Sequence, residues 1–249
     1  MSNNISANVL FHFTRSLDNI LDILTSGFYP HYCPEYSFGP VEAQAAWNGF
    51  SPAHATPMVC FCDLPLSLIQ DHLWQYGKFA IGLDKQWGIM NGLAPVFYTH
   101  EQSQTFKPLS DQNWAARTAN DSAAINDLIL LRAYMKPIRG NAWRRGKMLS
   151  DVPFYDEREW RYVPHLSVGE ELCLSREDYT NESKVKSLEE SLRQNHRLRV
   201  HPDNIQYLIV PDDSHILGLV KHLGSLYNPD DVTLVTTTIM TTDCITEDV

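Results

Sequence analysis

No apolar run in these 249 residues approaches the roughly 20 needed to span a bilayer, and Met1–Ala7 has neither the basic start nor the apolar core of a signal peptide. The expectation is a soluble, cytoplasmic chain without membrane contact. Basic charge is also short: 20 Lys and Arg stand against 30 Asp and Glu, a net charge of −10. That excludes coating nucleic acid through a global positive field, while leaving room for a local basic groove. Cysteine is sparse and odd in number. Cys33, Cys60, Cys62, Cys173 and Cys244 follow no regular spacing and do not read as a disulfide framework. The 12 Gly and 14 Pro have no period, which excludes a collagen-like or low-complexity chain. Walker, GxGxxG, GxSxG, HExxH and paired CxxC patterns are missing. His31-Tyr32-Cys33 with Cys60 and Cys62 fits no standard zinc spacing, so no metal is expected.

What is present is ordinary globular material, 43% hydrophobic and 20% charged. With no internal repeat and no linker-like break, the chain reads as one α+β domain over 1–249. Its core lies in 9–165, followed by a less distinctive strand-helix-strand segment in 166–249. Asn8–Thr14 is short, apolar and aromatic, as a buried strand should be. Ser16 can cap a helix carrying Leu17, Ile20, Leu21 and Leu24 on one face, with Gly27 at its C-cap. Phe28–Pro57 reads as a long loop with a short helix at Pro40–Asn48. Then come a strand at Met58–Cys62, a helix from about Pro65 to Gln75, and a strand at Phe79–Leu83 entered through Gly77. A short strand at Pro95–Thr99 and a helix over 121–135 follow, then a basic loop over 136–147. Strands at Glu159–Val163 and Asn204–Val210, a helix at Ser214–Leu226 and a strand at Val232–Thr238 complete the reading. Cys60 and Cys62 would lie on one strand face about 7 Å apart, at the edge of disulfide reach, and read as free thiols.

Three stretches can carry chemistry. Strand alternation puts His12 and Thr14 on one face of Phe11-His12-Phe13-Thr14, able to point at one ligand. Alternation likewise puts Glu157, Glu159 and Arg161 on one face, where an ionised carboxylate pair needs a partner that Arg161 can supply. Trp74 and Tyr76 precede the corner at Gly77, where an aromatic can stack on a planar ring. The segment 136–147 is the densest basic cluster. Arg139, Arg144 and Arg145 could contact phosphates and Trp143 could stack on a base, or the segment could dock an acidic partner.

Leu10–Thr14, the helix after it and Gly27-Phe28 resemble the opening of ADP-ribosyltransferase-like toxins such as DarT. Met58–Asp63, Tyr76–Leu83 and Tyr155–Val163 look like the bacterial AbiGi family of abortive phage infection systems, whose members are labelled antitoxins. The resemblance implies an ADP-ribosyltransferase-like fold, a mixed, largely antiparallel split sheet with flanking helices. It further implies that NAD is held by His12, Thr14, Tyr76 and Arg161, and that Glu157-Arg158-Glu159 is similar to a Glu-x-Glu signature. Glu159 would then stabilise an oxocarbenium-like transition state through the ribose 2′-hydroxyl, with Glu157 as general base and no metal needed.

The implied function is a NAD-dependent ADP-ribosyltransferase toxin of an anti-phage toxin–antitoxin system, with RNA or DNA as one acceptor. The alternative is a catalytically silent antitoxin of the same fold that binds a partner toxin protein, for which an acidic surface suits a basic partner. The NAD-site assignment expects His12, Tyr76 and Glu159 to converge on one cleft, and Glu157 and Glu159 to point the same way from one strand.

Overall fold

A computed structural model describes residues 7–35, 54–100, 102–144, 147–166 and 170–247. Strand β1 (Val9–Thr14) leads into helix α1 (Leu17–Ser26), whose first turn is capped by Ser16 Oγ accepting from the Asn19 N–H. Strands β2 (His31–Glu35) and β3 (His54–Cys62) follow, then α2 (Gln70–Tyr76) and β4 (Phe79–Asp84). Next come α3 (Lys85–Met90), the short strands β5 (Ala94–Pro95) and β6 (Phe97–Thr99), and a helix pair, α4 (Phe106–Thr118) and α5 (Ser122–Ala133). β7 (Met135–Pro137), β8 (Arg139–Arg144) and β9 (Lys147–Pro153) lead through a single 3-10 turn at Phe154–Glu157 into β10 (Glu159–Tyr162). The remainder comprises β11 (Leu174–Ser175), α6 (Arg176–Thr180), α7 (Glu182–Asn195), β12 (Ile205–Val210), α8 (Ile216–Leu226), α9 (Pro229–Thr236), β13 (Ile239–Thr241) and α10 (Thr242–Glu247).

Among the described residues, nine strands form one mixed sheet in the order β13-β12-β4-β1-β3-β10-β5, with β2 and β11 also paired to β3. Its pairs are antiparallel except β12 with β13. Alternation along the strands serves two cores. Leu10, Ile81, Leu83 and Leu208 pack with Ile20, Leu24, Leu219 and Leu223 of α1 and α8. Phe11, Ala80 and Ile209, one residue out of step, pack with Ile69 and Leu73 beside α2. No helix among the described residues is long and apolar enough to cross a membrane.

The long strand β3 is curved. Glu35 stands opposite His54 and Arg161 opposite Cys60, positions that lie about 20 Å apart on a flat strand. Two extended side chains cannot bridge that span, yet Arg161 Nη2 lies 2.6 Å from Glu35 Oε1. β3 therefore curls toward the face that carries both residues.

Several expectations are corrected. Val232–Thr238 is not a strand. The run Asn228-Pro229-Asp230-Asp231 starts a helix instead, with Asn228 capping, Pro229 at the first helical position and acids in the first turn. Those four residues outweigh the β-branched composition that follows. The helix read over 121–135 is α5, and it is preceded by α4, whose weak apolar pattern gave no signal. The basic segment 136–147 is not a loop but parts of β7, β8 and β9, the last two forming a hairpin. Within Phe28–Pro57, His31–Glu35 is a strand and β3 starts at His54; the expected helix at Pro40–Asn48 lies outside the described residues. Glu157 ends the 3-10 turn rather than lying in the strand, and Arg158 follows in a left-handed conformation at φ 44°.

Gly77 joins α2 to β4 at φ 133°, and a Cβ there would sit 2.1 Å from the Thr14 carbonyl oxygen. Gly77→Ala is therefore expected to destabilise the fold by more than the ~1 kcal/mol typical of a mild backbone effect. Urea unfolding of the variant beside the parent checks this; an unchanged midpoint would contradict the close approach.

Candidate ligand cavity and buried carboxylate cluster

β1 and β3 share one register pair, Phe11 opposite Cys62, and then part. His12 spans the gap, its Nδ1–H donating to the Cys60 carbonyl at 2.9 Å. Burial pushes the His12 pKa down, and the bond to that carbonyl offsets this only in part, so the ring is neutral. A cavity of about 300 Å³ opens where the strands part, of a size that holds a small ligand. Phe11, Phe13, Phe61 and Met58 supply its apolar wall; Tyr76, Lys136, Glu157 and Glu159 supply a polar one.

The polar wall is a buried charge cluster. Lys136 Nζ donates to Glu157 Oε2 at 2.6 Å and to Glu159 Oε2 at 2.9 Å, and lies 4.7 Å from the centre of the Phe154 ring. Tyr76 O–H donates to the other Glu157 oxygen at 3.0 Å. Arg161 has no exposed surface. Its Nε and Nη2 donate to the two oxygens of Glu159 at 2.8 and 3.1 Å. Its Nη1 and Nη2 donate to Glu35 at 3.0 and 2.6 Å, and Nη1 also reaches the Ala133 carbonyl at 2.5 Å. All five N–H groups of the guanidinium are thereby used. Burial opposes ionisation at Glu159, but Arg161 and Lys136 outweigh it and hold the carboxyl well below the usual range. The same pairing, against the same burial penalty, holds Lys136 and Arg161 well above theirs.

His12, Tyr76, Glu157 and Glu159 thus meet at one cavity although they come from distant parts of the chain. The two glutamates converge on Lys136 from a turn and a strand, because left-handed Arg158 redirects the chain between them. Two expected ligand contacts are corrected. Thr14 does not line the cavity; its Oγ1 accepts from Asn19 Nδ2 at 2.6 Å. Arg161 has no donor left for a ligand, because Glu35, Glu159 and Ala133 occupy all of them. On the β8–β9 hairpin, Arg139 is bound to Asp151 at 2.7 Å. Trp143 and Arg144 stand opposite Met148 and Lys147 on its two strands, and Arg145 lies outside the described residues. Among the described residues no group of three or more His, Cys, Asp or Glu could hold a metal ion.

A family model described as "Putative abortive phage resistance protein AbiGi, antitoxin" matches residues 26–211, well over half of the chain. The chain belongs to the AbiGi family. The curated "Abortive phage resistance protein AbiGi" of Lactococcus lactis subsp. cremoris is 32% identical over 176 residues, which cover 62% of this chain and 71% of that protein. No solved structure matches the chain.

In this AbiGi-family chain, sequence reasoning missed Lys136 and Glu35. Lys136 lies in a segment read as a basic loop, and Glu35 in one read as a long loop. One signal could have found the lysine: two carboxylates two residues apart in a buried aromatic strand need more positive charge than Arg161 alone provides.

Removing one charge of the cluster leaves its buried partners incompletely compensated, so Lys136→Met and Glu159→Gln are each expected to cost ~3–5 kcal/mol in urea unfolding. The pH dependence follows from the depressed Glu159. The unfolded chain takes up that proton near pH ~4.3, before the folded one does, so the stability supplied by Glu159 is present above that value and is lost as pH falls toward its folded pKa. Melting curves between neutral pH and about pH 3 should fall more steeply in the parent than in Glu159→Gln. Parallel curves would place the charge of Glu159 elsewhere.

Proposed function

We propose that the chain is the antitoxin member of an abortive-infection pair and acts by binding a partner toxin protein, with the carboxylate cluster as a structural element of the binding fold. The observation that carries this reading is the occupation of Glu159. A carboxylate that stabilises an oxocarbenium-like transition state must offer an oxygen to the sugar and a net negative charge to the reaction centre. Here both oxygens of Glu159 are taken by Arg161 and Lys136, and their charges cancel its own. The family description names an antitoxin. The net charge of −10 suits a basic partner and would speed their encounter.

A second reading, a NAD-dependent ADP-ribosyltransferase of the same fold class, is supported by one observation. His12, Tyr76, Glu157 and Glu159 surround a single cavity with an aromatic wall. In that reading NAD enters the cavity beside Glu157, which Tyr76 and Lys136 hold in place. A nucleic-acid acceptor would depend on the β8–β9 hairpin, where Arg139 is already engaged by Asp151.

Two experiments separate the readings. Expressed alone in bacteria, the chain is expected to leave growth unimpaired, and co-expressed with the toxin it neutralises it should restore growth and co-purify as a complex. Growth arrest by the chain alone would overturn the antitoxin reading. Millimolar NAD is expected to leave the melting temperature unchanged. A ligand at a hundredfold excess over its Kd stabilises by about 2.7 kcal/mol, which such a scan detects. A NAD-induced rise that disappears in His12→Ala would establish the second reading.

A further inference from the structure

Cys33 of β2 and Cys60 of β3 both line the cavity, and neither is in a disulfide. In register Cys33 faces Thr56, which on a flat strand would leave it about 13 Å from Cys60. The curl of β3 removes that distance. Both residues pack against the cluster of Met58, Ala133 and Val163, which brings the two thiols side by side. Glu159 lines the same cavity, which places this pair beside the carboxylate cluster. Both residues are partly exposed, so a small oxidant entering the cavity reaches them.

We propose that Cys33 and Cys60 form an oxidisable dithiol that hydrogen peroxide closes into a disulfide between β2 and β3. This inference is independent of which occupant the cavity takes. The neighbouring Cys33 sulfur, burial and the charge of Glu159 keep the proton on Cys60, so the first attack falls to Cys33. The Cys33 thiolate attacks one peroxide oxygen and the O–O bond breaks, giving a sulfenic acid at Cys33 and a hydroxide that is protonated to water. The Cys60 sulfur then attacks the Cys33 sulfur. The S–O bond breaks, and the departing hydroxide leaves with the Cys60 proton as a second water. Two thiols lose two electrons and one peroxide gains them.

The other cysteines are poorer partners. Cys62 is buried and sits on the same strand as Cys60 at the limit of disulfide reach. Cys173 and Cys244 pack in neither the Cys33–Cys60 cluster nor the cavity wall.

The test treats the full chain with hydrogen peroxide, blocks remaining thiols with iodoacetamide after denaturation, and maps the products by mass spectrometry. The expected result is loss of two alkylatable thiols, a linked peptide pair containing Cys33 and Cys60, and full reversal by dithiothreitol. The melting temperature should rise on oxidation. Cys33→Ser and Cys60→Ser should each abolish the linked pair, while Cys173→Ser should still form it. Retention of both thiols in the parent overturns the proposal, as does a linkage from Cys60 to Cys62. Because Cys60→Ser could unfold by disturbing Glu159, the partly exposed Cys33→Ser carries the decisive comparison: a peroxide-driven rise in melting temperature that persists in it also refutes the pair.

Discussion

A guanidinium with no exposed surface is tenable only when every N–H finds an acceptor, and Arg161 meets that condition through three different parts of the chain. Glu35 belongs to β2, Glu159 to β10, and the Ala133 carbonyl to the end of α5. Withdrawing this charge from water costs several kcal/mol, and the mutual attraction repays that cost only if the geometry is complete. The arrangement therefore tolerates one relative placement of β2, β10 and α5. A shift of any one of them would strand a charge in a medium that cannot solvate it.

The curl of β3 is part of the same constraint. Without it Glu35 and Arg161 would stand too far apart to pair, and Cys33 would not reach Cys60. At the opposite end of β3 the single pairing with β1 ends at Phe11 and Cys62, and His12 takes up the Cys60 carbonyl that the ladder leaves open. The cavity exists because β1 and β3 separate there. Its aromatic wall comes from residues on both sides of the separation, and its charged wall from the cluster that Arg161 and Lys136 assemble. Fold geometry and the chemistry of the site thus have one origin.

That origin also limits the chemistry. Glu35, Glu157 and Glu159 face Lys136 and Arg161, three negative charges against two positive ones. The remaining negative charge is shared rather than concentrated on Glu159, whose environment is that of a salt-bridged carboxylate and not of a free one. A partner-binding role places no demand on that carboxylate beyond holding the sheet together. A catalytic role would require a ligand to displace Lys136 from it.

Much of the local structure was legible in the sequence. Ser16 and Gly27 bracket α1, the apolar runs of β1, β3, β4 and β12 are strands, and free cysteines and an α+β class follow from composition and pattern. Local rules failed where a weak pattern hid an element, as in α4, or where a starting signature contradicted composition, as in α9. The sequence by itself determined the apolar character of the main strands and that Glu157 and Glu159 could not be buried without counter-charge. Only the tertiary structure decided that Lys136 would join Arg161 in supplying it, that Glu35 would join from a segment with no readable pattern, and that Thr14 would stay out of the cavity. The reason is physical. Periodicity reports which face of an element is apolar, whereas charge pairing in a core depends on how strands curve and where they part, and those depend on contacts between residues that lie as far apart as 35 and 161.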